Sequence, residues 1–363
     1  MAENDIQRTV LKEYTDNPEY YTRKMTKLIS LMKESKFITI YTGAGISTAA
    51  SIPDIRGEHG LETKQTPLVV LGLKEQDLDC IYPTYTHCAI TELVDRGVVK
   101  FVATSNHDGL HQKSGLSDEY IADVFGNVFV EKCLKCKMLW KRSVVVPSLG
   151  RKCDDTNCRG RLQKTGTRMG ETTPEEPLNR AWEIAKKSDL AIVIGSSLTV
   201  SPFCQLPFLA KQTVILNLQD TSYDNNSVLN IHCYCDTAMR DICKAYSIEI
   251  SQFKMIRKFC LYTDVTNDRY SILVTGDASN EPSGVVSAVE IEYETAGGKI
   301  LKEMDSNLKG DFVMELDNIA CGMSIVFVFV FREHFDSKPL KESVILQEGN
   351  VRREFEFVKN IIY

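Results

Sequence analysis

The sequence has 363 residues, of which 43% are hydrophobic and 25% charged, with a net charge of −6 and a pI near 5.7. This composition predicts a soluble globular protein long enough for two domains, and its acidic balance does not favour direct nucleic-acid binding. The longest apolar run of note covers residues 325–331, far short of the ~20 residues that a membrane helix needs. Without a secretory signal, the 12 cysteines indicate thiols or metal ligands inside the cell and no membrane partner.

The chain opens with a charged segment and then a glycine turn. Residues 1–36 are mostly compatible with a helix, and residues 37–41 form an apolar, β-rich run that predicts a buried strand. Gly43, Ala44 and Gly45 follow at once, and Ser47 lies in a run of small residues able to start a helix. Strand, glycine turn and helix are the layout of a dinucleotide phosphate site, although a Gly-x-Gly turn alone is more often an ordinary tight turn.

Polar residues follow the second predicted strand, residues 97–104. Asn106 and Asp108 stand at its carboxyl end, where open α/β sheets bind ligands. The alternative is an Asx-rich turn that only shapes the loop. Two more buried strands are predicted near residues 190–194 and 214–216, with a helix over residues 178–187 before the first of them.

Four cysteines form two pairs in the middle of the chain. Cys133 and Cys136 have Cys-x2-Cys spacing, and Cys153 and Cys158 follow after 16 intervening residues with Cys-x4-Cys spacing. Two thiolate pairs suit a closed tetrahedral Zn²⁺ site, which is structural because it has no open position. We therefore predict a zinc module over residues 131–163, against the alternative of four unrelated thiols.

The last part of the chain has a different pattern. Seven short runs of β-forming residues alternate with turns rich in Asp, Asn, Gly and Pro across residues 255–363. This pattern predicts an all-β sandwich domain, immunoglobulin-like in its strand count. It contains no catalytic constellation, so we expect either docking of a protein partner by a strand edge or a purely structural appendage.

The glycine loop and its continuation, GAGIST…SIPDIRG, resemble the signature loop of the sirtuins, the NAD-dependent protein deacylases. The segment TAASIPD is most similar to that of their nuclear class. Further matches at PTYTH (83–87), NHDGLH (106–111) and FGN (125–127) extend the resemblance over roughly residues 27–250, but not into the C-terminal part. The resemblance implies a Rossmann-like NAD-binding domain over residues 37–130 and 164–250. It implies NAD contacts at Gly43, Ala44, Gly45, Ser47, Asp54, Arg56, Asn106, Asp108, Gly195, Ser196, Ser197, Asn217, Cys235 and Asp236.

The sequence departs from the sirtuin pattern where the chemistry takes place. Phe125 stands where the family has the histidine base that removes a proton from the NAD ribose hydroxyl. Its side chain can neither accept nor donate that proton, and the Gly-Asn that follows fixes the register. Thr167 and Met169 replace apolar residues of the acyl-lysine tunnel, Ser105 replaces a glutamine, and residues 58–65 lack the tryptophan of the nuclear class. We therefore assign no catalytic residue.

Three readings follow from this combination. The first is an NAD-binding pseudoenzyme that acts as a regulatory or scaffold subunit, with protein partners in a chromatin-associated complex. The second is an active NAD-dependent protein-lysine deacetylase or ADP-ribosyltransferase, with His107 or His111 as the base. The third is an interaction module with an empty pocket. The class resemblance predicts a nuclear location, with the cytoplasm as the alternative.

Overall fold

The computed structural model describes residues 12–54, 78, 81–142, 145, 151–167, 171–266, 269–276, 285–306, 311–317, 322–331 and 338–363. Arg56, Met169 and residues 58–65, all named above, lie outside the described residues. No helix in the described ranges combines the length and the hydrophobicity needed to cross a membrane.

The predicted N-terminal helix forms over α1, Pro18–Glu34. Asn17 caps it by accepting a hydrogen bond from the backbone N–H of Tyr20, and proline at the first position needs no such bond. Its buried residues recur at helical spacing, at Met25, Leu28 and Met32, and they pack against the core below.

The first two thirds of the chain form an α/β domain with a small inserted module. In chain order its strands are β1 Ile38–Thr42, β2 Val99–Thr104, β3 Ile121–Asp123, β4 Val130–Cys133, β5 Leu139–Lys141, β6 Leu162–Lys164, β7 Leu190–Ile194, β8 Gln212–Leu216 and β9 Leu229–Ile231. Its later helices are α2 Tyr85–Asp95, α3 Leu110–Lys113, α4 Glu175–Ala185 and α5 Cys235–Ala245.

Six of these strands form one parallel sheet in the order β3-β2-β1-β7-β8-β9. The sheet is Rossmann-like, as predicted. Every residue of β1 and β7 is buried, as expected for parallel strands covered on both faces. The chain leaves β1 toward β2 on one side and returns to β7 on the other. The carboxyl ends of β1 and β7 therefore flank the crevice in which such sheets bind ligands.

The prediction of a helix directly after the glycine turn was wrong. The chain forms two short 3₁₀ turns instead, Ala44–Ile46 and Thr48–Ala50. Ser51 then adopts a left-handed conformation with a φ of 63°, and Pro53 follows two residues later. Proline lacks an N–H and disfavours the α conformation at the residue before it, so a helix cannot continue through this segment.

The inserted module carries the four paired cysteines on a small antiparallel sheet in the order β5-β4-β6. It lies in the chain between β3 and β7. Thr84 is the N-cap of α2, and its side chain accepts a hydrogen bond from the N–H of His87.

The C-terminal part is an antiparallel β domain. Its strands are β10 Gln252–Thr266, β11 Arg269–Gly276, β12 Val286–Thr295, β13 Gly298–Glu303, β14 Asp305–Ser306, β15 Phe312–Asp317, β16 Ser324–Phe331, β17 Leu340–Ile345 and β18 Val351–Ile362. They form two sheets, β14-β15-β11-β10-β18 and β13-β12-β16-β17, whose buried residues share one core. All seven predicted runs are strands, while β13 and β14 were missed. β10 begins at Gln252, before the predicted domain start at 255.

Candidate functional site

The glycine loop after β1 meets the turn after β7. The N–H of Gly43 donates to the carbonyl of Ile194 at 3.1 Å, and the N–H of Gly45 donates to the carbonyl of Gly195 at 2.8 Å. A Cβ atom at position 43 would lie 2.7 Å from the Gly195 oxygen and from the Cα of Ser196. Only glycine therefore permits this contact, which joins the ends of two neighbouring strands into one floor.

A pocket opens above this floor at the carboxyl edge of the parallel sheet. Nine predicted NAD contacts line it: Gly43, Ala44, Gly45, Asp54, Asn106, Gly195, Ser196, Ser197 and Asn217. The structure thus brings together residues from four strand ends that are up to 174 positions apart in sequence (217 − 43).

Ser47 and Asp108 support the pocket from behind. The amide of Asn106 donates to the carbonyl of Gly43 at 3.1 Å and to the hydroxyl of Ser47 at 3.3 Å. Ser47 in turn donates to one carboxylate oxygen of Asp108 at 2.7 Å, and the N–H of Leu110 donates to the other at 3.0 Å. All three polar side chains are buried. This network ties the loop after β2 to the glycine loop and fixes the direction of the Asn106 side chain.

Cys235 and Asp236 also lie outside the pocket lining. One carboxylate oxygen of Asp236 accepts from both the N–H and the hydroxyl of Thr86, at 3.0 and 2.6 Å. The sulfur of Cys235 lies 3.8 Å from the carbonyl oxygen of Gly45. These two residues join α5 to the start of α2 and to the glycine loop.

The sequence reasoning missed five pocket residues: Ser105, Thr199, Val200, Phe203 and Gln219. Ser105 directly precedes Asn106, and Gln219 lies two residues after Asn217, so their proximity to predicted contacts was a usable signal. Phe203 had no such signal, because a 3₁₀ segment, Phe203–Leu209, turns its ring toward the site.

Phe125 lies beside this pocket. Its ring centroid is 6.4 Å from that of Phe203 and 6.3 Å from that of His107. Its carbonyl accepts from the N–H and the hydroxyl of Thr167, at 2.9 and 3.0 Å. Gly126 has a φ of +82°, and a Cβ there would lie 2.0 Å from the Thr165 oxygen. The backbone around Phe125 is therefore closely held, and its apolar ring faces other aromatic rings.

Three titratable groups lie at the end of β3 or in the segment after β2, and burial shifts the pKa of each. Burial raises the pKa of Asp123 to about 6, and its carboxylate accepts from Gln112 at 2.7 Å and Asn127 at 3.2 Å.

Burial lowers the pKa of His107, whose Nδ1 is buried without a hydrogen-bond partner among the described residues. His111 bonds through Nε2 to Thr42 at 2.9 Å, and burial lowers its pKa to about 3. Among the described histidines, His107 is the one whose ring contacts Phe125.

The four paired cysteines converge in the inserted module. The sulfurs of Cys133 and Cys158 lie 3.6 Å apart, those of Cys136 and Cys153 lie 3.7 Å apart, and all four lie within 4.8 Å of one another. A tetrahedral ion with Zn–S bonds of about 2.3 Å separates its sulfurs by about 3.8 Å. The donor set and its spacing therefore fit zinc, and the thiols are not joined as disulfides.

Comparison with known proteins identifies relatives of this chain. A family model described as "Sir2 family" matches residues 72–202. The NAD-dependent protein deacetylase SRT1 of Oryza sativa subsp. indica is 31% identical, over 95% of this chain and 77% of that protein.

This chain belongs to the Sir2 family. The NAD-dependent protein deacetylase Sirt6 of Drosophila melanogaster is 33% identical, over 66% of this chain and 81% of that protein. The solved structure "Sir2 bound to acetylated peptide" covers 62% of this chain and 100% of its own, with 26% identity and a TM-score of 0.51. The chain thus has the fold of the NAD-dependent protein deacetylases.

The rice match also corrects one expectation about the extent of the Sir2-family resemblance. Because it covers 95% of this chain, it continues past residue 250 into the C-terminal domain. The solved Sir2 structure covers only 62% of the chain. The alignment with the rice protein therefore includes most of the C-terminal domain.

Proposed function

We propose that this protein binds NAD in the pocket above the glycine loop, deacylates poorly, and acts as a regulatory or scaffold subunit. The observation that carries the proposal is Phe125. It occupies the position of the family's general base, beside the pocket residue Phe203, and its side chain cannot take a proton. Loss of a general base typically lowers a rate by ~10²–10⁴-fold.

The residues present fit NAD. The bare backbone at Gly43 and Gly45 allows a phosphate group close approach, and the hydroxyls of Ser196 and Ser197 can donate to it. Asn217 stands at the end of β8, where Rossmann sites commonly carry a ribose ligand. Bound NAD supplies the anomeric carbon that an acyl oxygen attacks. Asn106, fixed by its bonds to the glycine loop, would seat the nicotinamide end.

We assign a structural Zn²⁺ to Cys133, Cys136, Cys153 and Cys158. With four thiolates the ion has no open position for a substrate, so its role is to hold the small sheet β5-β4-β6 together. The fit of the sulfur separations to a zinc tetrahedron supports this assignment.

The scaffold role rests on the C-terminal β domain. It adds two sheets to the NAD-binding fold and offers surface to a protein partner, which we take to be a component of a chromatin-associated complex. Resemblance of the TAASIPD segment to the nuclear class supports a nuclear location, and the cytoplasm remains the alternative.

Calorimetric titration with NAD tests the binding half of the proposal. We expect the full chain to bind NAD and Asn106→Ala to bind at least several-fold more weakly. Asn360→Ala, which removes an exposed amide from the β domain, is the matched control and should bind like the unaltered protein. If the unaltered chain does not bind NAD, the pocket is empty and the interaction-module reading is correct.

A second candidate is an active deacylase or ADP-ribosyltransferase that uses His107 as its base. The buried Nδ1 of His107, which has no hydrogen-bond partner in the described part of the chain, favours this candidate, since a neutral imidazole can accept a proton. Under this candidate, His107→Ala lowers peptide-dependent nicotinamide release at least tenfold while NAD affinity is unchanged. An equal rate in the two proteins rules His107 out.

A further inference from the structure

Two tyrosines, one from the Sir2 domain and one from the β domain, each pack against the core of the other domain. Tyr82, just ahead of α2 in the Sir2 domain, packs against the core of the β domain. Tyr363, which follows β18, packs against the core of the parallel-sheet domain. Each domain therefore inserts one aromatic ring into the other, close to the start of α2.

Tyr363 is held by directional contacts as well as by packing. Its phenol donates to the carbonyl of Pro83 and lies 3.4 Å from the sulfur of Cys88. Its ring meets that of Tyr85 edge to face, with centroids 6.0 Å apart. Its N–H donates to the carbonyl of Ser251 at 3.1 Å. Burial raises its pKa, so the phenol keeps the proton that it donates to Pro83.

The residue after Pro83 is bonded to the glycine loop. Thr84 is 4% exposed, and its hydroxyl donates to the carbonyl of Ile46 at 3.0 Å. Ile46 directly follows the pocket residue Gly45, in the same 3₁₀ turn. Two hydrogen bonds and one peptide unit thus separate the β-domain tyrosine from the glycine loop.

We propose that Tyr363 is a positioning residue for NAD, through which the β domain sets the affinity of the Sir2 pocket. The proposal rests on the proposed NAD binding. With its bond to Tyr363 intact, the Pro83–Thr84 segment keeps Thr84 against the glycine loop. A protein that engages the β domain and shifts Tyr363 changes NAD affinity. By thermodynamic reciprocity, NAD strengthens the contact between the domains by the same factor.

The test compares the full chain with Tyr363→Phe, which keeps the ring and removes the donated hydrogen bond. Tyr293→Phe, buried in the core of the same β domain, is the matched control. We expect NAD to bind Tyr363→Phe about three- to tenfold more weakly, the range for loss of one hydrogen bond, and to bind the control normally. A purely structural role would lower the melting temperature of both variants and leave NAD affinity unchanged.

Amide hydrogen exchange on the unaltered chain gives a second readout that does not depend on a variant. NAD should slow exchange of the Tyr363 amide, which is bonded to Ser251. Unchanged affinity in Tyr363→Phe, or unchanged exchange at Tyr363 when NAD is bound, overturns the inference and leaves the proposed NAD binding intact. Failure of the unaltered chain to bind NAD overturns both.

Discussion

The ring of Phe125 lies 6.4 Å from the ring of Phe203, centroid to centroid, beside the pocket that the Sir2 fold uses for NAD. Phe203 lines that pocket. The resemblance to the sirtuins assigns a catalytic base to position 125, but here this position holds an aromatic ring that lies near another one. The ring centroid of His107 lies 6.3 Å from that of Phe125. Nine predicted NAD contacts line the pocket in the described part of the chain, while the position that the resemblance assigns to the base is apolar.

Asp123 makes stability depend on pH in a specific direction. Burial raises its pKa from 3.8 to about 6, so its contribution to folding is greatest below pH 4 and is lost as pH rises through 6. Asparagine can accept the same bonds from Gln112 and Asn127 without ionising. Relative to Asp123→Asn, the unaltered protein should therefore lose about 2–3 kcal/mol of unfolding free energy between pH 4 and pH 7. Urea titrations at the two pH values measure this difference, and a constant gap contradicts it.

Gly43→Ala should damage the NAD pocket by a steric effect alone. The added methyl would lie 2.7 Å from the Gly195 oxygen and from Ser196, so the two loops must separate. We expect a loss of about 1–3 kcal/mol in stability, typical of overpacking, and at least tenfold weaker NAD binding. Gly297→Ala has only a side-chain oxygen at 3.7 Å near the added methyl and serves as the control. Normal NAD affinity in Gly43→Ala would show that the loop does not contact the cofactor.

Removal of zinc should unfold the inserted module. Without the ion, the four thiols lose the metal that joins them, and the small three-stranded sheet buries few other apolar side chains. Purified protein should contain one zinc per chain by mass spectrometry, and Cys158→Ser should contain almost none. Cys243→Ser, at a buried position of α5, should keep the metal. A strong chelator should lower the melting temperature; an unshifted melt would refute the assignment.

The β domain should fold alone. Its two sheets share a core of their own, and β10 and β18 pair along residues 252–263 and 351–362. A fragment of residues 251–363 should unfold in one cooperative transition in urea. Exposure of Tyr363 in the fragment lowers its stability but leaves the sheet pairing intact. A broad, non-cooperative transition would show that the domain depends on the Sir2 core.

Much of the fold could be predicted from the sequence because its local signals agree with one another. Buried strands of the parallel sheet appear as continuous apolar runs, and the four cysteines lie at metal-binding spacings. The prediction of a helix after Gly45 was wrong because the left-handed Ser51 and the following Pro53 end the short 3₁₀ turns. Phe203 and the crossing of Tyr82 with Tyr363 could not be predicted, since they depend on how distant segments pack.

The central claim is that the NAD pocket is intact and that only the base has been lost. Its most direct test is nicotinamide release from NAD, with an acetyl-lysine peptide, by the unaltered protein and by Phe125→His, with Phe125→Leu as the apolar control. We predict little or no release by the unaltered protein and by Phe125→Leu, and at least ~10²-fold faster release by Phe125→His. Comparable release by the unaltered protein and Phe125→His would contradict the account, because another group would then perform the proton transfer.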